Sequence, residues 1–273
     1  MTNRELQDWI LHNTEVGHSP EALLEKLLEA GWNEAVALDA LERTLRSRVA
    51  ELGVLTVPEP DLSGSPTFVT VGGRRMEVLL AVKQPRLVVF KHFLSVEECE
   101  AMIEAARPRL AASTVIDDDS GANAMHHGRV SDGMFFGRCE SPLIQTVEER
   151  ISALVRWPLE HGETIQVLRY GTGGKYDPHF DYFDPKLPGS AEPIRVAGNR
   201  VGTFIMVLQA PERGGSTLFP DAGIEVFAQR GNGVFFSYYR PDPATKTLHG
   251  GAPVIEGEKW IATKWFRERV FPV

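Results

Sequence analysis

The sequence predicts a mainly β protein with flanking helices (α+β), in which a jelly roll follows a small N-terminal helical bundle. From residue 163 onward, short segments rich in Val, Ile, Phe, Tyr and Thr alternate with Gly and Pro. This pattern is typical of a β-sandwich or jelly roll. The first fifty residues instead have apolar side chains at helical spacing, and a stretch rich in Pro, Gly and Ser follows them. We therefore predict a bundle at 1–52, a linker at 53–66 and a jelly-roll domain at 67–273.

Three amphipathic helices are predicted in the bundle. Ser19 and Pro20 are typical of an N-cap and a first helical turn, Gly31 of a helix end, and Asn33 of a second N-cap. The expected apolar stripes are Leu6, Trp9 and Ile10, then Leu23, Leu24, Leu27 and Leu28, then Val36, Leu38, Leu41 and Leu45. Such a bundle could bind a partner, mediate self-association or only stabilise the domain that follows.

Turn and capping residues divide the segment that follows the linker. Gly72 and Gly73 separate two strand-like runs and predict a hairpin. The run PRLVVFKHFL predicts a strand leading into a helix with Ser95 and Glu98 at capping-box spacing. Ser141-Pro142 opens a further helix that ends before Pro158. Residues 184–198 are rich in Pro and Gly and predict a loop that could act as a lid.

Composition excludes several classes of function. The formal net charge of −8 argues against nucleic-acid binding, which needs a surplus of Lys and Arg, and gives no attraction to anionic membranes. Cys99 and Cys139 are too distant in sequence to suggest a disulfide framework or a thiolate zinc site. No apolar run is long enough for a membrane span, and no secretory signal is evident. We expect a cytoplasmic protein.

A metal site is predicted from one pair of residues and a distant histidine. His179 and Asp181 are two residues apart, so on a strand both side chains point to the same face. His249 precedes a later strand-like segment and is the natural third ligand. Two histidines and one carboxylate leave open coordination positions, a ligand set typical of non-haem iron(II) oxygenases. The H-x-D pair alone is weak, because a single histidine is usually a surface or hydrogen-bonded residue.

A cation stands close to the third candidate ligand. Lys259 begins the apolar segment KWIATKWF, ten residues after His249. If this lysine points into the domain, it needs an anionic partner such as the distal carboxylate of a dicarboxylic acid. The alternative is a solvated lysine at the end of a strand.

These residues lie within a broader resemblance. The segments GETIQVLRY, GGKYDPHFDYF, NRVGTFIMVLQ, GGSTLFP, LHGGAPVIEGEKW and IATKWF occur in the order and spacing of the catalytic domain of prolyl 4-hydroxylases. The chain resembles this family of Fe(II)- and 2-oxoglutarate (2OG)-dependent oxygenases over about residues 85–273, more weakly upstream around Gly128–Ser131. The resemblance implies a double-stranded β-helix, the jelly roll of these enzymes. Val207, Gln209 and Ser216 depart from the family pattern, which puts the substrate in doubt.

The resemblance also implies residue roles. His179, Asp181 and His249 are then the iron ligands, and Lys259 pairs with the C5 carboxylate of 2OG. Lining of the co-substrate pocket is implied for Tyr170, Thr217 and Trp265, and contact with a peptide substrate for Tyr176, Arg129, Ser131, Glu163 and Arg200. Structural alternatives remain open for residues of both the co-substrate group and the substrate group. Tyr170 and Trp265 could be core aromatics, and Glu163 and Arg200 an ion pair at a strand edge.

The implied activity is hydroxylation of an unactivated C–H bond, at C4 of a peptidyl proline, with release of succinate and CO2. Fe(II), 2OG and O2 are the implied cofactor and co-substrates, and ascorbate dependence is expected of the family. Alternatives are an oxygenase that acts on a free amino acid or another small molecule, and a binding or scaffold protein with a vestigial jelly roll. The intact triad and Lys259 argue against a vestigial site.

Overall fold

A computed structural model describes residues 3–51, 57–113, 115–116, 123–124 and 129–273 of the chain. The chain divides into two compact units, Met1–Thr56 and Val57–Val273. Among the helices of the described residues, none combines the length and the apolar character needed to cross a membrane.

The smaller unit contains three helices, α1 (Asn3–Glu15), α2 (Pro20–Glu29) and α3 (Glu34–Glu51). Ser19 caps α2 by accepting a hydrogen bond from the amide of Ala22, and Asn33 caps α3 through the amide of Ala35 at 3.1 Å. Both caps agree with the sequence prediction. The core of this unit consists of Leu6, Ile10, Leu23, Leu27, Ala37, Ala40 and Leu41.

The predicted stripe of α3 is partly wrong. Val36 is 51% exposed, while the buried face of the helix runs through Ala37, Ala40, Leu41 and Thr44. These four residues follow the i, i+3, i+4, i+7 spacing of one helical face. Small alanines allow close packing, so the buried face of α3 includes Ala37 and Ala40, whereas the prediction chose the larger side chains Val36 and Leu38. Leu28 of α2 is likewise 39% exposed.

The larger unit contains α4 (Val96–Ala106), α5 (Pro142–Val155) and α6 (Ala191–Ala197). The first two of these helices begin where the capping residues predict. Ser95 and Glu98 form a complete capping box at the start of α4. Ser141 caps α5, whose first-turn residue is Pro142. Short 3₁₀ turns occur at Arg107–Arg109, Leu159–His161, Pro188–Ser190, Pro220–Ala222 and Pro243–Thr245.

The remaining regular structure in the described part of this unit consists of short strands. In chain order they are β1 (Phe68–Val71), β2 (Arg74–Val82), β3 (Arg86–Lys91), β4 (Ala111–Ala112), β5 (Val115–Ile116), β6 (Asn123–Ala124), β7 (Asp132–Phe135), β8 (Gln166–Tyr170), β9 (Tyr176–His179), β10 (Arg200–Gln209), β11 (Arg213–Gly214), β12 (Thr217–Phe219), β13 (Ile224–Val226), β14 (Gly233–Ser237), β15 (His249–Gly251), β16 (Val254–Glu256) and β17 (Lys259–Arg267).

Two antiparallel sheets organise the unit. The larger sheet has the strand order β1-β2-β3-β14-β10-β17-β8-β7-β4, and the smaller has the order β13-β12-β15-β9. β11 pairs with β16, and β5 with β6. The predicted hairpin joins β1 to β2 through Gly72 and Gly73, whose φ angles are +55° and +74°. Glycine adopts these left-handed angles without steric cost.

The larger sheet is covered on both faces. On β10, Phe204, Met206 and Leu208 pack in one core with residues of α4 and α5. Ile205 and Val207 point the other way, into a second core that includes Phe219 and Val226 of the smaller sheet. Side chains alternate between the faces of a strand, so one apolar strand supplies both cores. The mainly β jelly-roll prediction is thereby confirmed.

Two segments differ from their sequence interpretation. Residues 53–56 of the predicted linker 53–66 lie outside the described part of the chain. In the remainder, Val57 is 3% exposed and belongs to the core between helices and sheet. The amide of Glu59 donates to the carbonyl of Val155 at 2.7 Å, so this part is packed and not free. The predicted loop 184–198 contains a 3₁₀ turn and α6. Its proline content did not prevent a helix, because Pro193 lies in the first turn of α6, where a proline is tolerated.

Candidate active site

The three predicted metal ligands converge between β9 and β15. His179 is the last residue of β9, and His249, the first residue of β15, lies directly opposite it in the antiparallel register. Asp181 lies two residues past the end of β9, in a bend. The expectation that His179 and Asp181 share one strand is therefore wrong. The chain still brings their side chains to one point, because the bend follows immediately after the strand.

Distances within the cluster suit a single metal ion. His179 Nε2 lies 3.6 Å from Asp181 Oδ1, and His249 Nε2 lies 3.4 Å from Asp181 Oδ2. One ligand atom from each residue falls within 4.8 Å of the others, a grouping of His, Cys and acidic residues with no equal elsewhere in the described part of the chain. Two imidazoles and one carboxylate match the ligand set of non-haem Fe(II) sites.

Hydrogen bonds to the backbone orient both imidazoles. Nδ1 of His179 lies 2.9 Å from the carbonyl of Asp177, and Nδ1 of His249 lies 3.0 Å from the carbonyl of Thr247. A carbonyl only accepts, so Nδ1 carries the proton in each ring and Nε2 presents its lone pair to the cluster. Burial lowers the pKa of His249 to about 4, which favours the neutral form that binds a metal.

The carboxylate of Asp181 has its own positioning group. Thr203 Oγ1 donates to Asp181 Oδ2 at 2.7 Å, and the hydroxyl of Tyr238 lies 3.1 Å from the same Oγ1. Burial alone would raise the pKa of Asp181, but His249 and His179 hold it well below its usual range. Sequence reasoning missed Thr203. The available signal was a hydroxyl residue within an otherwise apolar strand, which must find a hydrogen-bond partner when buried.

A cavity connects the metal cluster to Lys259, which is 6% exposed. Burial lowers the pKa of this lysine to about 8. No carboxylate in the described part of the chain forms an ion pair with it, and its Nζ lies 5.7 Å from the ring centroid of Tyr170. A buried ammonium without an anion is unfavourable. The alternative of a solvated lysine is excluded, and the cavity fits a ligand with a carboxylate at its far end.

The three residues expected around the co-substrate all line this cavity. Tyr170 lies opposite Lys259 in the pairing of β8 with β17. Thr217 is buried on β12. Trp265 on β17 is half-buried, and its Nε1 has no hydrogen-bond partner among the described residues. Tyr170 and Trp265 are therefore cavity walls as well as packing residues.

The residues expected to contact substrate divide into two groups. Arg129 and Tyr176 line the metal cavity, where the Tyr176 ring stacks on His179 at 3.7 Å and Arg129 lies 4.8 Å above Tyr176. Burial raises the pKa of Tyr176 to about 12, so its hydroxyl remains protonated. Ser131 lies in an adjoining groove that Arg129 also lines, and its Oγ is 3.0 Å from Ser113 Oγ.

Glu163 and Arg200 do not line the cavity. They form a buried two-pronged ion pair, with Arg200 Nε and Nη2 2.7 and 2.8 Å from the carboxylate oxygens of Glu163. Arg267 Nη1 adds a third contact at 3.0 Å. This arrangement matches the ion-pair alternative given by the sequence, and their contact with substrate stays a prediction.

Comparison with known proteins agrees with this geometry. A model of the 2OG-Fe(II) oxygenase superfamily matches residues 165–267. Probable prolyl 4-hydroxylase 4 of Arabidopsis thaliana is 38% identical over 227 residues, which cover 75% of this chain and 73% of the relative. Prolyl 4-hydroxylase 1 of the same plant is 40% identical over 202 residues, covering 68% of this chain and 70% of the relative.

Among solved structures, the viral collagen prolyl hydroxylase of Paramecium Bursaria Chlorella virus-1, in its 2OG complex, is similar. It matches with a TM-score of 0.50 and 28% identity, over 66% of this chain and 95% of that chain. The fold and the site define a 2OG-Fe(II) oxygenase. Within that class, the chain belongs to the prolyl 4-hydroxylase family. The His179–Asp181–His249 cluster fits the Fe(II), and the cavity that ends at Lys259 fits the 2OG, that this family uses.

Proposed function

We propose that this protein hydroxylates prolyl residues of a peptide or protein at C4, with conversion of 2OG to succinate and CO2. One observation carries the proposal. A buried lysine with no acidic partner among the described residues shares a cavity with a two-histidine, one-carboxylate cluster. A site for one dicarboxylate co-substrate beside one metal ion is what this reaction requires. The names of the relatives supply proline as the substrate side chain.

The residues of the chain have distinct parts in this reaction. His179, Asp181 and His249 would hold Fe(II), which with bound 2OG supplies the activation of O2 for C–H hydroxylation. Lys259 neutralises the far carboxylate of 2OG and so fixes its direction in the cavity. Apolar walls such as Ile205 and Ile261 exclude water from the cavity.

The mouth of the cavity suits a peptide. Arg129 and Tyr176 lie beside His179, where a guanidinium and a phenol can hydrogen-bond to the peptide backbone and pack on a pyrrolidine ring. We propose that these two residues orient the substrate and that Ser131, in the adjoining groove, contacts residues further along the peptide.

Three finer features belong to the same proposal. Ascorbate would maintain the iron as Fe(II) through turnovers that proceed without substrate. The protein would act in the cytoplasm. The N-terminal unit would recruit a partner or mediate self-association, because its described helices have a core of their own and the residues that line the cavity belong to the larger unit.

The first experiment measures succinate formation from 2OG by protein loaded anaerobically with Fe(II) and then exposed to air. Proline-containing peptides are added, and their products are examined by mass spectrometry for 4-hydroxyproline. We expect turnover that requires peptide and iron and is absent in His179→Ala. Binding of Fe(II) and 2OG with no peptide product, but with hydroxylation of a free amino acid, would move the substrate to a small molecule. Absence of iron binding would contradict the oxygenase function and favour a scaffold role.

A further inference from the structure

The metal carboxylate is placed without the help of strand pairing. The pairing of β9 with β15 ends at His179, and Asp181 lies two residues further along, in a bend. The sheet holds His179 and His249 opposite each other, whereas Asp181 depends on the side chains around it. Its carboxylate, through Thr203, and the residue that follows it, Tyr182, both contact one aromatic side chain, Tyr238.

Tyr238 lies one residue past the end of β14 and is fixed against β10. Ser237 pairs with Gly202 in the register of these two strands, and the amide of Tyr238 donates to the carbonyl of Val201 at 3.1 Å. The side chain of Tyr238 is 1% exposed and belongs to the core that the two sheets share. A buried tyrosine hydroxyl needs a hydrogen-bond partner, and Thr203 of β10 provides it.

The two hydroxyl groups form a hydrogen-bond chain that can run in one direction only. Each hydroxyl has a single proton to donate, and a carboxylate that binds a metal ion is ionised and only accepts. The proton of Thr203 is therefore committed to Asp181 Oδ2, at 2.7 Å, and the proton of the Tyr238 hydroxyl points at Thr203 Oγ1, at 3.1 Å. Burial raises the pKa of Tyr238 well above its usual range, so the hydroxyl keeps this proton. Donation by Tyr238 polarises the Thr203 hydroxyl and strengthens its bond to the carboxylate.

The ring of Tyr238 makes a second contact, independent of its hydroxyl. It meets the buried ring of Tyr182 edge to face, with centroids 5.8 Å apart and planes at 63°. Tyr182 also stacks on Phe180, with centroids 4.7 Å apart, so the two residues that flank Asp181 in the chain pack on each other. Tyr238 thus contacts the carboxylate of Asp181 through one hydrogen-bonded hydroxyl and supports its main chain through the adjacent ring.

We propose that Tyr238 is a positioning residue of the metal site, which orients Asp181 through the Thr203 hydroxyl and supports its main chain through Tyr182. The inference rests on the proposed function only in taking Asp181 as a metal ligand. Tyr238 does not line the metal cavity, so its effect on the site passes through Asp181. Loss of its hydroxyl lowers the metal affinity before any co-substrate or peptide is bound.

Three variants test this positioning role and a fourth is the matched control. Tyr238→Phe removes the hydroxyl and keeps the ring that packs on Tyr182. Thr203→Val removes the bridging hydroxyl with little change of shape, and the double variant combines both changes. Tyr239→Phe is the control, because it removes a tyrosine hydroxyl at the next position, whose side chain packs on the core at the helix side of the larger sheet. Each variant is titrated with Co(II) to obtain the dissociation constant and the visible spectrum of the bound ion, and unfolded in urea.

Thr203→Val should bind Co(II) about 10- to 100-fold more weakly than wild type, the range found when groups that orient metal ligands are lost. Tyr238→Phe should bind it about 3- to 10-fold more weakly, the effect of one neutral hydrogen bond, and with an altered spectrum. Because Tyr238 acts through Thr203, the double variant should bind Co(II) as Thr203→Val does. Tyr239→Phe should match wild type in affinity and spectrum, even if it unfolds at lower urea.

Wild-type Co(II) affinity and spectrum in folded Tyr238→Phe would overturn the inference, as would equal weakening in Tyr239→Phe. Losses that simply add in the double variant would also overturn it, because Tyr238 would then act by a route other than Thr203. If Thr203→Val does not fold, the comparison of Tyr238→Phe with Tyr239→Phe decides. Failure of the wild type itself to bind metal would instead contradict the proposed function.

Discussion

At the residue scale, the two lysines of β17 show how position on a strand separates structure from chemistry. Lys264 points to the helix side, where it donates to Glu148 Oε1 at 2.5 Å, and is 1% exposed. Lys259, an odd number of residues away, points to the opposite face and into the metal cavity. One charge is neutralised within the fold and the other is left for a ligand. Burial lowers the pKa of both lysines.

The pKa of Lys259 leads to a prediction about 2OG binding. Its value in the ligand-free protein is about 8, because burial disfavours the charged form, and a bound carboxylate raises it. Binding requires the charged ammonium, so the dissociation constant of 2OG should be constant well below this pKa. Above it, the constant should rise, approaching about tenfold per pH unit. Anaerobic calorimetric titration of the Fe(II) protein across this range measures it.

Lys259→Arg is the matched control, because its guanidinium remains charged throughout. Whatever affinity this variant retains should not change with pH over the same range. An identical rise of the dissociation constant in wild type and Lys259→Arg would assign the pH dependence to another group.

At the scale of elements, the metal cluster depends on how closely β15 approaches β9. His249 lies opposite His179, but Gly251 lies opposite Tyr176, so β9 has one extra residue between the two pairs. Gly250 faces this bulge. A Cβ at Gly250 would lie 2.9 Å from the carbonyl oxygen of Tyr176 and 3.1 Å from the nitrogen of Pro178. Backbone atoms cannot yield as a flexible side chain can.

Gly250→Ala should therefore separate β9 from β15 and weaken metal binding by about tenfold or more. This is the size of effect found when groups that orient metal ligands are lost. Gly251→Ala is the control at the neighbouring position, since its Cβ would meet the nearest atom, the amide nitrogen of Tyr176, at an ordinary 3.6 Å. Co(II) titration of both variants gives the comparison. Equal metal affinity in the two would show that the close approach at Gly250 does not set the cluster.

At the scale of the whole molecule, the apolar cores separate cleanly by unit. One cluster is drawn from residues up to 41, and the two others from residues 57 onward. The metal cluster and its cavity lie wholly within the larger unit. A chain with its own core and a complete site is expected to fold alone.

A chain starting at Val57 should therefore fold and bind Co(II) and 2OG like the full-length protein. A chain starting at residue 67 loses Val57, whose burial is worth about 1.5–3 kcal/mol, so its free energy of unfolding should be lower by about that amount and its urea midpoint should fall. Urea denaturation of the three chains measures the difference. Equal stability of the two shortened chains would mean that the packed segment 57–66 contributes nothing to the free energy of unfolding. Failure of the chain that starts at Val57 to bind metal would contradict the independence of the larger unit.

Local signals in the sequence were sufficient for much of the fold. Caps at Ser19, Asn33, Ser95 and Ser141 and the Gly72-Gly73 turn act within a few residues, so each could be predicted without knowledge of its neighbours in space. The spacing of His179 and Asp181, the later His249 and the resemblance to prolyl 4-hydroxylases identified the residues that the structure brings together.

By itself, the sequence determined the class of fold through short-range patterns of residue type, and its resemblance to prolyl 4-hydroxylases identified the residues of the metal cluster and the lysine beside it. Only the tertiary structure decided which side chains satisfy each other. The hydroxyl of Thr203 reaches Asp181, Glu163 pairs with both Arg200 and Arg267, and Val57 enters the core. Such contacts join strands far apart in the chain, and buried polar groups find these partners only after the sheets have packed.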